Sequence, residues 1–166
     1  MASAPVWPAS PLLLEKRAGP RPRTTQTNPH SQIDQLPRPL LSHDLIERLA
    51  ALPGISLGPS GRAPYGTIGL YLSEDDARGP ERAFLLPREF AHLHPEPDGS
   101  LHLPLPEPVR SRAIAAGWAE PHPLAGQPSV SPDIVMVYAP RDAEEIEIVA
   151  TLVASAWAYA RGAAAH

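Results

Sequence analysis

The chain has 166 residues, a hydrophobic fraction of 43% and a formal charge of −4, which predicts one globular domain with an arm to spare and excludes wholesale disorder. The negative balance argues against a nucleic-acid backbone as partner, since that binding needs Lys and Arg against phosphate. With no cysteine, disulfides, thiolate catalysis and Cys-type zinc sites are excluded together.

Twenty-three prolines punctuate the chain, eight of them within the first 40 positions. Residues 1–40 read as a Pro-rich extended arm. It is either a flexible tail or a strap that lies along the domain through RPRTTQTNPHSQIDQL, anchored by Ile33 and Leu36, and helps close a site. The short apolar run near the start is broken by Pro5, Pro8 and Pro11 and precedes its charges, so no secretory signal is expected. Nor does any segment reach the roughly 18 apolar residues of a membrane span. A cytoplasmic protein without membrane contact is the expectation.

Residues 41–162 read as an α+β domain. A helix is predicted from Ser42 as N-cap to Leu52, with Leu45, Ile46, Leu49 and Leu52 as its stripe and Pro53-Gly54 as its stop. A strand near Ile55–Leu57 follows, then one at Thr67–Leu72 with Ile68, Leu70 and Leu72 on one face. Across the charged turn Glu74–Pro80, the run Ala83–Leu86 reads as the hairpin partner. Ser100–Leu105 is a strand with Leu101, Leu103 and Leu105 inward and His102 opposite. Pro104, which has no N–H to give a ladder, places it at an edge or bulge.

Pro108 to Ala116 forms a short helix with Gly117 as left-handed cap, and Ile134–Ala139 is a further strand. The last helix opens with Asp142 as cap and Glu145 three residues on, and packs Ile146, Val149, Val153, Ala156, Trp157 and Ala160 on the sheet. This order predicts a mostly antiparallel sheet with helices packed on one face.

Four of the seven histidines, His92, His94, His102 and His122, fall between Arg88 and Gly126. Imidazole exchanges protons or ligates metals near neutral pH without help. An extended Phe90–His94 turns His92 and His94 to one side, about 7 Å apart at Cβ, and the turn at Pro97-Asp98-Gly99 returns His102 toward them. These three suit a His-only metal site, or a base with its helper, or structural hydrogen bonding.

A cupin site is rejected: Glu96 follows the HxH too closely, the upstream glycine is missing and there is no second half-motif. His122, stiffened by Pro121 and Pro123, suits a catalytic acid or base, or merely caps a turn. Arg141 either binds an anionic oxygen or pairs with Glu144 or Glu145. GPSGRAPYG lacks the lysine of a phosphate loop, and no serine sits in a nucleophile elbow.

The ordered segments FAHLHPEPDGSLHLPL, GWAEPHPLAG and VMVYAPRDAEE resemble the domain of the fungal luciferases, which is shared with small bacterial proteins. The resemblance runs from Leu85 to Tyr159, with an echo in GPRPRTT around Arg21. It is carried by Glu89, His92, His94, His102, Gly117, Trp118, His122, Pro123, Gly126, Tyr138, Arg141 and Glu145. The fungal enzymes carry a membrane-anchoring N-terminal segment where this chain has its proline-rich arm.

The resemblance implies oxidation of a hydroxypyrone by molecular oxygen with no organic cofactor. The expected site has His92, His94, His102, His122 and Arg141 as catalytic groups, His92 or His122 taking the enol proton and Arg141 steadying the oxyanion. Glu89, Trp118 and Tyr138 are expected to bind substrate. The expected partner is a small molecule, no cofactor is assigned, and a metal on His92, His94 and His102 stays open, as does the oligomeric state. Two alternatives remain at this point: a non-catalytic binding module for a metabolite or peptide, and a His-ligated metal enzyme.

Overall fold

A computed structural model describes residues 13–163. The broken apolar run at Pro5, Pro8 and Pro11 lies outside the described residues. The elements run α1 (Pro39–Ala50), β1 (Ile55–Pro59), β2 (Ile68–Leu72), a 3-10 turn (Glu81–Ala83), β3 (Glu89–Leu93), β4 (Leu101–Pro104), α2 (Val109–Ala115), β5 (Ala119–Pro121), β6 (Ile134–Val137) and α3 (Ala143–Ala160). All strand pairings are antiparallel, in the order β1-β2-β3-β4-β6-β5. The domain is α+β, as the order of elements predicts.

The two faces of this sheet do different work. Antiparallel partners share a face, and the register groups Leu93, Leu101, Val137 and Ala119 on one side. There they meet Leu45 and Leu49 of α1 and Val149, Leu152, Val153 and Ala156 of α3 in one buried core. Offset by one residue, Gly69, His92, His102, Met136 and Glu120 form a row across the opposite face. One sheet therefore buries an apolar face under helices and a polar row on its other side.

Helix α3 follows its sequence signals: the Asp142 carboxylate accepts from the Glu145 backbone N–H. Helix α2 closes with Gly117 at φ +86, its N–H reaching the Ile114 carbonyl while the Trp118 N–H reaches Ala113. That double closure needs a left-handed residue, which glycine supplies without steric cost.

Three readings are corrected. Helix α1 starts at Pro39 with Arg38 as its cap, because proline at the first position already has helical φ; Ser42 lies inside the helix, buried, with its hydroxyl unpartnered. Ala83–Leu86 is not a strand: the 3-10 turn Glu81–Ala83 takes its first residue, Leu86 makes a single bridge to Glu89, and β3 is the partner of β2. Strand β4 is central, not at an edge. Its even-numbered residues face β3, as Ser100 does in accepting from the His94 N–H, and the β3 ladder ends at His92 paired with His102. Pro104 thus sits past the end of that ladder, where no N–H is required. Strand β5, Ala119–Pro121, is an additional three-residue element at the edge of the sheet.

The described part of the arm is the strap of the two alternatives. Thr24 bridges Gln32, the Arg17 N–H reaches the Ala116 carbonyl, and the Gln32 side chain accepts from the Ala139 N–H. Its anchors are polar: Arg17, His30 and Gln32 are buried, while Ile33 and Leu36 are exposed at 48% and 40%. Among the described residues, no helix is long and apolar enough to cross a membrane.

Candidate functional site: a cavity walled by imidazoles

On the polar face lies a cavity of about 330 Å³. Its walls include His92, His94, His102 and His122, the four histidines singled out by sequence, and also His30 from the arm. Arg62 and Pro64 of the β1–β2 connection, the Pro95–Asp98 turn, Leu124 and Ile134 complete it.

The register explains the convergence. His92 and His102 are direct cross-strand partners, and their rings meet with His92 Nε2 3.1 Å from His102 Nδ1. Glu120 is two strands farther along the same row, with Met136 between. Strands lie about 4.8 Å apart, so His102 and Glu120 cannot touch. The arm fills the gap: His30 Nδ1 lies 3.0 Å from His102 Nε2, and its Nε2 lies 2.6 Å from Glu120 Oε1.

Each outer histidine is held from behind by a carboxylate. Ser60 donates to Glu89 at 2.5 Å and faces His92 Nδ1 at 3.3 Å. Ser100 donates to Asp98 and faces His94 Nδ1 at 3.0 Å. A hydroxyl has one proton to give; having spent it on a carboxylate, each serine accepts from the imidazole. These partners assign Nδ1–H to both His92 and His94, and the Glu120 carboxylate assigns Nε2–H to His30.

The carboxylates are kept ionised. Burial alone would push Glu89, Asp98 and Glu120 up. Hydrogen bonds from His92, Ser60 and the Gly61 N–H to Glu89, from His94 and Ser100 to Asp98, and from His30, Thr24 and Tyr138 to Glu120 outweigh it and hold all three below the usual carboxylate range. The imidazoles shift the other way. Burial pushes His92 down, helped by His94 and opposed by Glu89. It pushes His102 well below its ordinary value, with four imidazoles around it adding to the effect. His122 falls to about 4, again by burial and then by its imidazole neighbours. These three rings are neutral at pH 7.

His122 belongs to the loop after β5, and its Nδ1 accepts from the Leu124 N–H at 3.0 Å. In the neutral ring the proton is then on Nε2, so His122 offers a donor and not a base. Its ring packs edge-on against His102 and His30, with centroids 4.7 and 5.1 Å apart.

The other expected site residues lie elsewhere. Glu89 is fully buried behind His92. Tyr138 donates to Glu120 at 2.9 Å, one step behind His30. Trp118 is in the core, its indole N–H on the Glu15 carbonyl and its ring beside the Arg17 guanidinium. Arg141 pairs with Glu145 at 2.6 Å at the start of α3. Neither Trp118 nor Arg141 lines the cavity, and the guanidinium that does is Arg62. Sequence reasoning missed His30, Ser60, Asp98, Ser100 and Glu120. The one available signal was that RPRTTQTNPHSQ places a histidine in a segment read as a strap.

The fold and site define a small α+β domain whose sheet presents a buried row of histidines to a cavity of small-molecule size. Comparison with known proteins agrees with that placement. The Luciferase domain family model matches residues 87–156, which hold β3 to β6 and most of α3. The chain is 30% identical over 169 residues to a luciferase of Armillaria gallica and 31% identical to one of Armillaria ostoyae. Each alignment covers 88% of this chain and 60% of the relative. A luciferase of Neonothopanus nambi is 36% identical over 74 residues, covering 43% of this chain and 28% of the relative.

The chain therefore carries a Luciferase domain at residues 87–156 and is similar over 88% of its length to fungal luciferases. It spans 60% of the length of the Armillaria relatives. No solved structure matches it.

Proposed function

We propose that this luciferase-domain protein binds an enolisable small molecule, a hydroxypyrone or a similar aromatic compound, in the imidazole-walled cavity and oxidises it with molecular oxygen, without an organic cofactor. The observation that supports this reading is the convergence of five histidines on one cavity of about 330 Å³, inside the size range of small-molecule sites. The relatives bear the name luciferase, which supports an oxidation as the reaction class, and the cavity has room for a small substrate.

The enol proton finds acceptors in the bare ring nitrogens of the cluster. The oxyanion left behind finds a donor in the His122 Nε2–H, and the Arg62 guanidinium adds positive charge at the rim. Electron density held on the enolate by such donors is what reacts with oxygen, and donors fixed in advance are worth more than mobile water.

Oxygen consumption with a panel of hydroxypyrones and flavonols tests the reading. Substrate-dependent uptake is expected for the native protein, and a His92→Ala, His122→Ala double variant should lose it. Unchanged uptake in that variant would overturn the assignment.

A further inference from the structure

Two groups of three histidines bring ring nitrogens within 4.8 Å of one another: His92, His94 and His102, and His30, His102 and His122. The hydrogen-bond partners decide between them. With Nδ1–H of His92 and of His94 turned toward Ser60 and Ser100, the Nε2 atom of each ring is bare when that ring is neutral. His30 gives its Nε2–H to Glu120, and in the neutral ring its Nδ1 is then bare and takes the Nε2–H of His102. That leaves His102 Nδ1 bare as well, 3.1 Å from the bare Nε2 of His92.

In this set of neutral tautomers two nitrogen lone pairs face each other at that distance, buried and with no proton between them. One ring nitrogen from each of His92, His94 and His102 lies within 4.8 Å of the other two, beside the cavity. The second group lacks three bare nitrogens, because its His122 nitrogen is either protonated or occupied by the Leu124 N–H.

We infer that His92, His94 and His102 are the ligands of a divalent first-row transition-metal ion. Ring nitrogens around a tetrahedral ion with bonds of about 2.0–2.1 Å stand roughly 3.3 Å apart, close to the spacing of His92 and His102. Histidines that bind metals characteristically donate their second N–H to a carboxylate or a group it orients, which fixes the tautomer and raises basicity. Here Ser60–Glu89 and Ser100–Asp98 do this for His92 and His94, and His30–Glu120 does it for His102. Neutral imidazoles without thiolate or direct carboxylate suit zinc, iron, nickel or copper over magnesium or calcium. All three ligands line the cavity, so the ion they hold is open to a molecule bound there. The inference names a cofactor for the site proposed above, and with the ion bound these three nitrogens are its ligands and the enolate oxygen meets the ion in place of a ring base; it rests on nitrogen positions and not on any substrate.

The test is a titration of the tag-free, chelator-stripped full chain with Co²⁺, followed by visible absorption, and a parallel elemental analysis after expression with added zinc or iron. One equivalent should bind with a saturable ligand-field band that Zn²⁺ abolishes. His94→Ala should weaken binding by about 100-fold or more, and Asp98→Asn by about 10–100-fold, with circular dichroism confirming the fold. Asp98→Asn carries the test if His94→Ala unfolds. His122→Ala should keep the stoichiometry and the band.

A chain that binds no Co²⁺ and purifies metal-free overturns the inference. So does an unchanged titration in His94→Ala or Asp98→Asn, or loss of the band in His122→Ala. Because no substrate enters these measurements, a negative result here is separate from failure of the oxygen-uptake experiment.

Discussion

His30 Nε2 lies 2.6 Å from Glu120 Oε1, although 90 positions separate the two residues. This contact fastens the arm to the sheet and puts an imidazole where the sheet alone leaves a gap. Glu120 is itself held by Thr24 at 2.6 Å and Tyr138 at 2.9 Å, so its carboxylate joins arm, β5 and the segment after β6. The polar face of the sheet is assembled from parts that no single stretch of sequence contains.

Glu120→Ala is expected to destabilise the fold by about 2–3 kcal/mol, the size of lost hydrogen bonds to a charged group. At roughly 2–4 °C per kcal/mol for a chain of this size, thermal unfolding should show a fall of several degrees. Nitrogen NMR of the histidines should also show His30 losing its fixed tautomer. A His30 signal identical to the native one would show that Glu120 does not hold that ring.

Gly69 opens the row that contains His92. A Cβ there would sit 2.7 Å from Tyr71 Cε2 and 3.0 Å from Glu89 Oε1. Gly69→Ala must push Tyr71 or Glu89 aside, at a cost of about 1–3 kcal/mol for overpacking. Because Glu89 orients His92, the same substitution should reduce oxygen uptake by the folded protein although it adds only a methyl group. A native uptake rate in a measurably destabilised Gly69→Ala protein would separate Glu89 from the site.

Arg141 presents the opposite case. Its guanidinium is committed to Glu145 and is about one-third exposed, while the buried Glu145 also has Arg17 at 3.3 Å, so Arg141→Ala should cost about 1–3 kcal/mol and leave oxygen uptake of the folded protein unaltered. Kinetics of the variant check this directly. A large drop in uptake with an unchanged melting temperature would return Arg141 to the site.

Acid stability should depend on Asp133. Burial would raise this carboxyl, but hydrogen bonds from Arg82, Tyr159 and Arg110 hold it below its ordinary value. A depressed carboxylate adds stability above its unfolded pKa of about 4, and loses it as pH falls through the folded value. The Tyr159 hydroxyl, raised to about 12 by burial and Asp133, adds stability that is full below about pH 10 and is lost above it. Asp133→Asn should therefore lower stability by about 2–3 kcal/mol at pH 7, and the gap should narrow below pH 4. Denaturant titrations from pH 3 to 8 measure it; a gap independent of pH would contradict the linkage.

The legible parts of this fold are those written in local pattern. Helix α3 shows its cap, first-turn acids and apolar stripe in consecutive residues. Strand β4 alternates leucines with His102, so both its faces can be assigned before any partner is known. Strand β3 was harder to place: EFAHL buries a glutamate and a histidine, whereas the apolar Ala83–Leu86 beside it looks more like a strand and is not one.

His30 was illegible for a different reason. It stands among polar and proline residues with no periodicity, and its place depends on a gap between His102 and Glu120 that exists only once β4, β6 and β5 are in register. The distinction between His122 as base and as donor was likewise hidden, since it depends on which ring nitrogen meets the Leu124 N–H.

The most direct test of the account is a crystal structure of the protein with a hydroxypyrone bound. The ring is expected inside the imidazole-walled cavity, with an oxygen within hydrogen-bond distance of His122 Nε2 and Arg62 near the rim. A ligand seated outside that cavity, or inside it with no contact to any of the five histidines, would contradict the claim that this cluster is the functional centre.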